Sequence, residues 1–280
     1  MKKKLLFWCP FLSDVGTINA TLQSMESLQE SKKFNCKIMN VYGEFDEYSS
    51  LFKKKNIEEI KLLKNRFVKK LPKKGFIWSR LNYILIFILS LFPLFVYLKK
   101  NKEEIMFIYL LSSLPLFVVS FFNLSNKIIF RISGKVHYSY IRRKIWLFAK
   151  NKILKILIQT NSAKKRLIKE KIFNRNRILF LEDPIINIDK INYLKNHKIE
   201  KKYTKKKFYV AIGRLTKQKN FLFLVRAIAK ILKDQNLNLL ILGEGEQKFK
   251  IQQLINEYGL NKKIFLTGYK KKYLQIFKQI

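Results

Sequence analysis

A regular alternation of short apolar runs with longer amphipathic stretches constrains the fold of this 280-residue chain more than any other sequence feature. In the first part of the chain, strand-like runs lie at residues 5–11, 36–42, 105–111, 127–132, 153–160 and 177–181, with helical material between them. Strands separated by helices at this spacing are typical of a parallel, doubly wound sheet. The sequence therefore predicts an α/β fold.

A change of amino-acid composition near residue 187, to a polar and lysine-rich segment, divides the chain. Residues 1–190 are predicted to form a Rossmann-like domain, the lysine-rich segment 191–206 a linker, and residues 207–280 a second domain. In this second domain we predict strands at 208–212, 237–242 and 263–267, with helices at 220–232 and 247–258. Three strands are too few to close a doubly wound domain, so we expect the second domain to be incomplete.

The net charge of +39, from 58 Lys and Arg against 19 Asp and Glu, predicts attraction to polyanions and acidic lipid surfaces. Abundant Lys, Asn, Ile and Phe are also the signature of A+T-rich codons. The sequence has no zinc-finger spacing, RNP motif or basic-region heptad, so nucleic acid is excluded as a partner. Cys9 and Cys36 lack metal-ligand spacing and favour a reducing, cytoplasmic location.

Residues 81–98 form the most hydrophobic stretch and contain no charged residue, with Arg80 before them and Lys99 and Lys100 after them. Their length meets the threshold for a transmembrane helix. Three polar or helix-breaking residues interrupt the stretch, namely Asn82, Ser90 and Pro93. Three interpretations follow: a buried core helix, a helix lying in the membrane interface with basic flanks, or a membrane span.

The turn at residues 211–220 is the strongest candidate for binding chemistry. A strand ends there, Gly213 lets the backbone turn, and a helix begins shortly afterwards, with Arg214 and Lys219 on either side of the turn. Helix N-termini favour anions, and Arg offers a bidentate fork for phosphate oxygens. The residues therefore indicate a diphosphate clamp, the alternative being that both cations are ordinary solvated loop residues.

The segment from Val210 to Tyr269 resembles the C-terminal donor-binding domain of the GT-B glycosyltransferases, family 4 of the retaining enzymes. The resemblance lies in five elements in the family's order: Gly213-Arg214-Leu215 with Lys219, an amphipathic helix, a strand ending in Gly243-Glu244-Gly245, a second helix, and a strand ending in Gly268-Tyr269. It implies a GT-B fold of two Rossmann-like domains. It also implies a nucleotide-sugar donor bound by Gly213, Arg214, Lys219, Glu244 and Tyr269, without a metal or other cofactor.

The first part of the chain resembles the family's acceptor domain more weakly. Gly16 matches the turn that approaches the donor phosphate, and Asp183-Pro184 resembles the exit to the linker. His137 follows a strand end where the acceptor site is expected and is suited to act as a base, the alternative being an exposed loop histidine. The family's Glu-x7-Glu constellation follows the Gly-Tyr strand, and residue 280 is reached first.

These observations predict transfer of a sugar to a polysaccharide or lipid-linked acceptor in surface-glycan biosynthesis, by a protein peripheral to the cytoplasmic face of the membrane. The alternatives are a truncated, inactive remnant that binds nucleotide weakly, and a basic membrane-associated protein without sugar chemistry.

Overall fold

The computed structural model describes residues 2–13, 16–64, 67–72, 76–133, 139–183, 188, 192 and 208–268. The chain divides into two compact units, Met1–Ile185 and Ile186–Ile280. The segment predicted as a linker, 191–206, lies outside the described residues except for residue 192.

The first unit is built on a seven-stranded sheet in which all paired strands run parallel. The strand order is β3-β2-β1-β4-β5-β6-β7, so the direction of winding reverses between β1 and β4. The strands are β1 (Lys3–Trp8), β2 (Phe34–Asn40), β3 (Glu58–Lys61), β4 (Ile105–Ile108), β5 (Ile128–Ile132), β6 (Ile153–Ile158) and β7 (Ile178–Phe180).

Helices cover both faces of this sheet, as a parallel sheet requires. They are α1 (Gly16–Glu30), α2 (Ser49–Lys54), α3 (Phe67–Lys70), α4 (Phe76–Lys100), α5 (Ser113–Phe121), α6 (Tyr140–Ala149) and α7 (Asn161–Lys169). Helices α3 to α7 contribute to one hydrophobic core with one face of the sheet, and α1 and α2 form a second core on the opposite face. Alternate residues of β1 serve the two cores: Leu6 and Trp8 the first, Leu5 and Phe7 the second.

The second unit contains a three-stranded parallel sheet of order β10-β9-β8. Its elements are β8 (Phe208–Ile212), α8 (Phe221–Asp234), β9 (Asn238–Leu242), α9 (Lys248–Glu257) and β10 (Ile264–Gly268). Both helices pack into one core through apolar residues at helical spacing, such as Val225, Ala229 and Leu232 of α8 and Ile251 and Ile255 of α9.

The predicted α/β fold class is confirmed, and each predicted strand is present within a few residues of its expected bounds. The sequence did not predict β3, because the run Glu58–Lys61 contains one apolar residue and pairs only along the sheet edge. Cys9 and Cys36 are buried and free. Burial raises the pKa of each thiol to about 12, so both remain neutral near pH 7 and are structural.

The apolar stretch at 81–98 lies within α4. By length and composition, one helix among the described residues could cross a membrane, Ile77–Lys100, with a mean hydropathy of 2.2. Only 28% of its most apolar window is buried in the protein. The core-helix interpretation therefore accounts for one face of α4 only.

Candidate functional site

Two turns and one strand end meet at the carboxyl edge of the second sheet. The turns follow β8 and β9, the strand end is that of β10, and each carries a glycine. The amide of Gly213 donates to the carbonyl of Leu242 (3.0 Å), and the amide of Gly243 donates to that of Gly268 (2.9 Å). The amide of Leu215 donates to the carbonyl of Glu244 (2.9 Å). Ligands of open α/β sheets bind at this end of the strands, which makes the joined turns the candidate site.

Two glycines make this close approach possible. A Cβ placed on Gly243 would lie 1.8 Å from the carbonyl oxygen of Gly213, and a Cβ on Gly245 would lie 2.4 Å from that of Leu215. Gly243 also has a φ of +155°, a conformation that side chains rarely adopt. The glycines after β9 are therefore required by contact with the turn after β8.

Arg214 and Lys219 lie in this turn, between β8 and α8, and both side chains are exposed. Leu215 is fully buried and anchors the turn in the core. Among the described residues, no ion pair joins either cation to a carboxylate. Helix α8 then begins after Asn220, which makes no side-chain capping hydrogen bond. Two uncompensated cations therefore precede a helix N-terminus, an arrangement that favours an anion.

The other donor-side candidates from the sequence are placed differently. The carboxylate of Glu244 forms an ion pair with Lys248 at 2.9 Å, so its charge is already compensated. A Cβ on Gly268 would lie 2.8 Å from Glu244 Oε1, so Gly268 leaves room for this carboxylate. Tyr269 lies outside the described residues.

Two polar residues at the same turns were not predicted as site residues from the sequence. Thr216 Oγ1 and Gln247 Oε1 are buried without a hydrogen-bond partner in the described part of the chain. The amide of Gln247 donates to the carbonyl of Leu215 (2.9 Å), so the residue belongs to the turn cluster. Polar residues in a polar loop give no sequence signal of burial. Unsatisfied oxygens at this position are suited to a polar ligand or water.

In the first unit, Gly16 is the first residue of α1. A Cβ added there would contact nothing within 4 Å, so no steric constraint within this unit requires glycine. Strand β5 ends at Ile132, shortly before His137, which itself lies outside the described residues.

A hollow of about 220 Å³ lies at the carboxyl ends of β4, β5 and β6, beside α1. Arg131 lines it, with its guanidinium 5.2 Å from the ring centroid of Tyr109 and in a bidentate ion pair with Asp183. From the sequence, Asp183 is expected only at the exit to the linker. Its pairing with a strand 52 residues earlier has no local sequence signal.

Residues 192–280 match the family Glycosyl transferases group 1. This match covers about a third of the chain and lies within the second unit. Two curated relatives are an uncharacterized glycosyltransferase of Methanocaldococcus jannaschii, 36% identical over 121 residues, and the N-acetylgalactosamine-N,N'-diacetylbacillosaminyl-diphospho-undecaprenol 4-alpha-N-acetylgalactosaminyltransferase of Campylobacter jejuni, 45% identical over 65 residues. The matches cover 41% and 23% of this chain, and 30% and 17% of the two relatives. The chain thus matches less than a third of the length of either.

The fold of the chain matches that of solved structures. A structure of Anabaena HepE in complex with UDP and glucose matches 98% of this chain and 71% of its own, with a TM-score of 0.66 and 11% sequence identity. At that identity the likeness shows the fold alone, and the fold is GT-B. The expected GT-B fold is therefore confirmed, and the match of residues 192–280 supports the expected family.

Proposed function

We propose that this chain is a group 1 glycosyltransferase that transfers a sugar from a nucleoside diphosphate sugar to a lipid-linked or polysaccharide acceptor in surface-glycan assembly, with retention of configuration. The uncompensated pair Arg214 and Lys219 at the start of α8 is the observation that carries the proposal. The relatives' names support the chemistry, because one binds UDP and glucose and another glycosylates a diphospho-undecaprenol acceptor.

The turn supplies positive charge for the departing nucleoside diphosphate. When the bond between the anomeric carbon and the diphosphate breaks, the nucleoside diphosphate leaves with the electron pair and gains negative charge. Arg214 offers a planar fork to two phosphate oxygens, Lys219 a point charge, and α8 its free amides. Groups fixed before the reaction stabilise this charge without reorganising, and such electrostatic stabilisation supplies most of the rate enhancement in many enzymes.

The remaining candidates have subordinate roles in the proposal. Gly16 stays a candidate donor-binding residue, as the family resemblance implies. Glu244, paired with Lys248 at the turn after β9, and Tyr269 stay donor-binding candidates on the same ground. His137 is the acceptor-side base that would take the proton of the attacking hydroxyl.

Binding of UDP, GDP and uridine, measured by calorimetry, tests the diphosphate clamp. We expect a diphosphate to bind and uridine to bind far more weakly, because the clamp recognises charge. Arg214→Ala should weaken binding by at least tenfold, and Lys219→Ala by severalfold. Lys217→Ala is the matched control, since Lys217 is exposed in the same turn but unassigned. Equal losses in all three variants would mean that the turn attracts anions only through its overall charge.

A radiolabelled transfer assay tests the reaction itself. Turnover that falls with Arg214→Ala supports the enzyme. Binding without any transfer by this chain would instead support a nucleotide-binding protein that lacks activity.

A further inference from the structure

Helix α4 has a narrow buried face formed by every fourth residue. The fully or nearly fully buried positions are Asn82, Ile86, Ser90, Leu94 and Leu98. This buried face includes Asn82 and Ser90, the two polar residues that interrupt the apolar sequence. An amphipathic helix normally buries its most apolar face, and α4 does not.

Polar contacts fix the orientation of α4 on the domain. Near its start, Asn82 Nδ2 donates to the carbonyl of Pro72 (2.7 Å). Near its end, the Tyr97 hydroxyl donates to Glu104 (3.2 Å), a buried carboxylate that also pairs with Lys37 of β2 at 3.0 Å. Rotation of the helix about its axis would break these contacts. The face of α4 opposite the buried residues is therefore held outward.

That outward face is apolar over four turns. The i, i+3 and i+4 spacing places Ile77, Leu81, Ile84, Ile88 and Phe92 on one side of the helix, and all five are exposed, Ile88 by 62% and Phe92 by 66%. We call these five residues the α4 stripe. The neighbouring helices on the same side of the sheet also expose large apolar side chains, Phe121 on α5 and Ile141 and Phe148 on α6.

The charge around the α4 stripe is of one sign. Helices α4, α5 and α6 together contain six Lys or Arg and no Asp or Glu. Between residues 60 and 169, 24 basic residues face only two acidic ones, Glu103 and Glu104. At the end of α4, Lys99 and Lys100 are both exposed, and Lys99 lies on the same side as the α4 stripe by helical spacing.

We infer that the α4 stripe and its basic surroundings bind the surface of an anionic lipid bilayer, with α4 parallel to the membrane plane. Apolar side chains would enter the boundary between headgroups and acyl chains, and Lys99 and Lys100 would contact lipid phosphates. The inference goes beyond the proposed function, because neither the donor nor its turn takes part.

Charge complementarity decides between this occupant and the alternatives. A second copy docked on the same surface would bring the exposed Lys99 and Lys100 of both copies together, and α4, α5 and α6 contain no Asp or Glu that could compensate them. A membrane span by α4 would carry the adjoining sheet and its buried Lys37–Glu104 pair into the hydrocarbon, where charged groups are costly. An anionic surface matches both the apolar stripe and the charge.

Tryptophan fluorescence gives a direct readout, because Trp78 is partly exposed beside the α4 stripe while Trp8 and Trp146 are buried. Vesicles of phosphatidylcholine, with and without 30% phosphatidylglycerol, are added to the full chain. We expect a blue shift and quenching by brominated acyl chains with anionic vesicles only, and binding that weakens with salt. Trp78→Phe should abolish the fluorescence change and leave vesicle flotation intact.

Paired variants separate the two contributions. Ile84→Ser with Ile88→Ser should weaken flotation at least tenfold, whereas Phe223→Ser with Phe249→Ser, equally exposed in the second unit, should not. Lys99→Gln with Lys100→Gln should weaken it on the order of 20-fold, from about fivefold per charge near an anionic surface. The charge control is Lys53→Gln with Lys54→Gln on α2, which packs on the opposite face of the sheet.

Binding to neutral and anionic vesicles alike, or to neither, would overturn the inference. So would self-association in sedimentation velocity that the α4 variants abolish, because the stripe would then contact a second copy. Nucleotide binding is measured without vesicles, so failure of the donor site and failure of this surface are distinguishable.

Discussion

Arg131 at the end of β5 and Asp183 beyond β7 form a bidentate ion pair across the carboxyl edge of the first sheet. Both side chains are largely buried, Arg131 to all but 7% of its surface, and the guanidinium also lies over the ring of Tyr109. The pair therefore ties the segment that leaves the first unit to the middle of its sheet.

We expect Asp183→Ala to lower the free energy of unfolding of the first unit by about 3–5 kcal/mol, because it leaves a buried cation without its partner. Urea unfolding followed by the fluorescence of Trp8 and Trp146, both buried in this unit, measures the loss. The control removes the exposed pair of Lys4 and Glu103, and Glu103→Ala should cost less than about 1 kcal/mol. Similar losses for both variants would contradict a structural role for the buried pair.

Gly243→Ala should disrupt the joined turns after β8 and β9, since the added Cβ would lie 1.8 Å from the carbonyl oxygen of Gly213. Gly259→Ala provides the comparison, because its φ of +66° is also unfavourable for alanine but nothing lies within 4 Å. We expect Gly259→Ala to cost about 1 kcal/mol of stability and to preserve UDP binding. Gly243→Ala should cost more and abolish binding. Intact binding in Gly243→Ala would show that the turns move apart without consequence.

Glu44 should make stability depend on pH. Withdrawal from water raises the pKa of its carboxyl from an ordinary 4.5 to about 7, although amide hydrogen bonds from Val41 and Tyr42 favour the charged form. The folded state therefore prefers the protonated group. This stabilising contribution is complete below about pH 4.5 and is lost as the pH rises through 7.

The stability of the wild-type protein relative to Glu44→Gln should accordingly fall by roughly 3 kcal/mol between pH 4.5 and pH 8. Urea unfolding of both proteins at the two pH values measures this, and subtraction cancels every other titrating group common to both. An unchanged difference would mean that the carboxyl titrates normally in the fold.

The sequence predicted the α/β class and the donor turn because both depend on local patterns. Strand and helix periodicity located the sheet elements, and Gly213, Arg214 and Lys219 lie within one short turn. Contacts between distant residues could not be predicted in this way. The pairing of Arg131 with Asp183 and the burial of the Thr216 and Gln247 side-chain oxygens depend on how separate elements pack.

Helix α4 shows the same limit. Composition indicated its apolar character, and Asn82 and Ser90 were interpreted as interruptions of the apolar stretch. In the structure both residues belong to the buried face of the helix. Which face packs on the sheet is decided by tertiary hydrogen bonds that no periodicity reveals.

Hydrogen–deuterium exchange with and without UDP tests whether the turn at the start of α8 holds the donor diphosphate. We expect slower exchange of the amides between Gly213 and Phe223, little change in the rest of α8, and no effect of uridine at the same concentration. UDP-dependent protection that leaves this turn unchanged, or equal protection by uridine, would contradict this expectation.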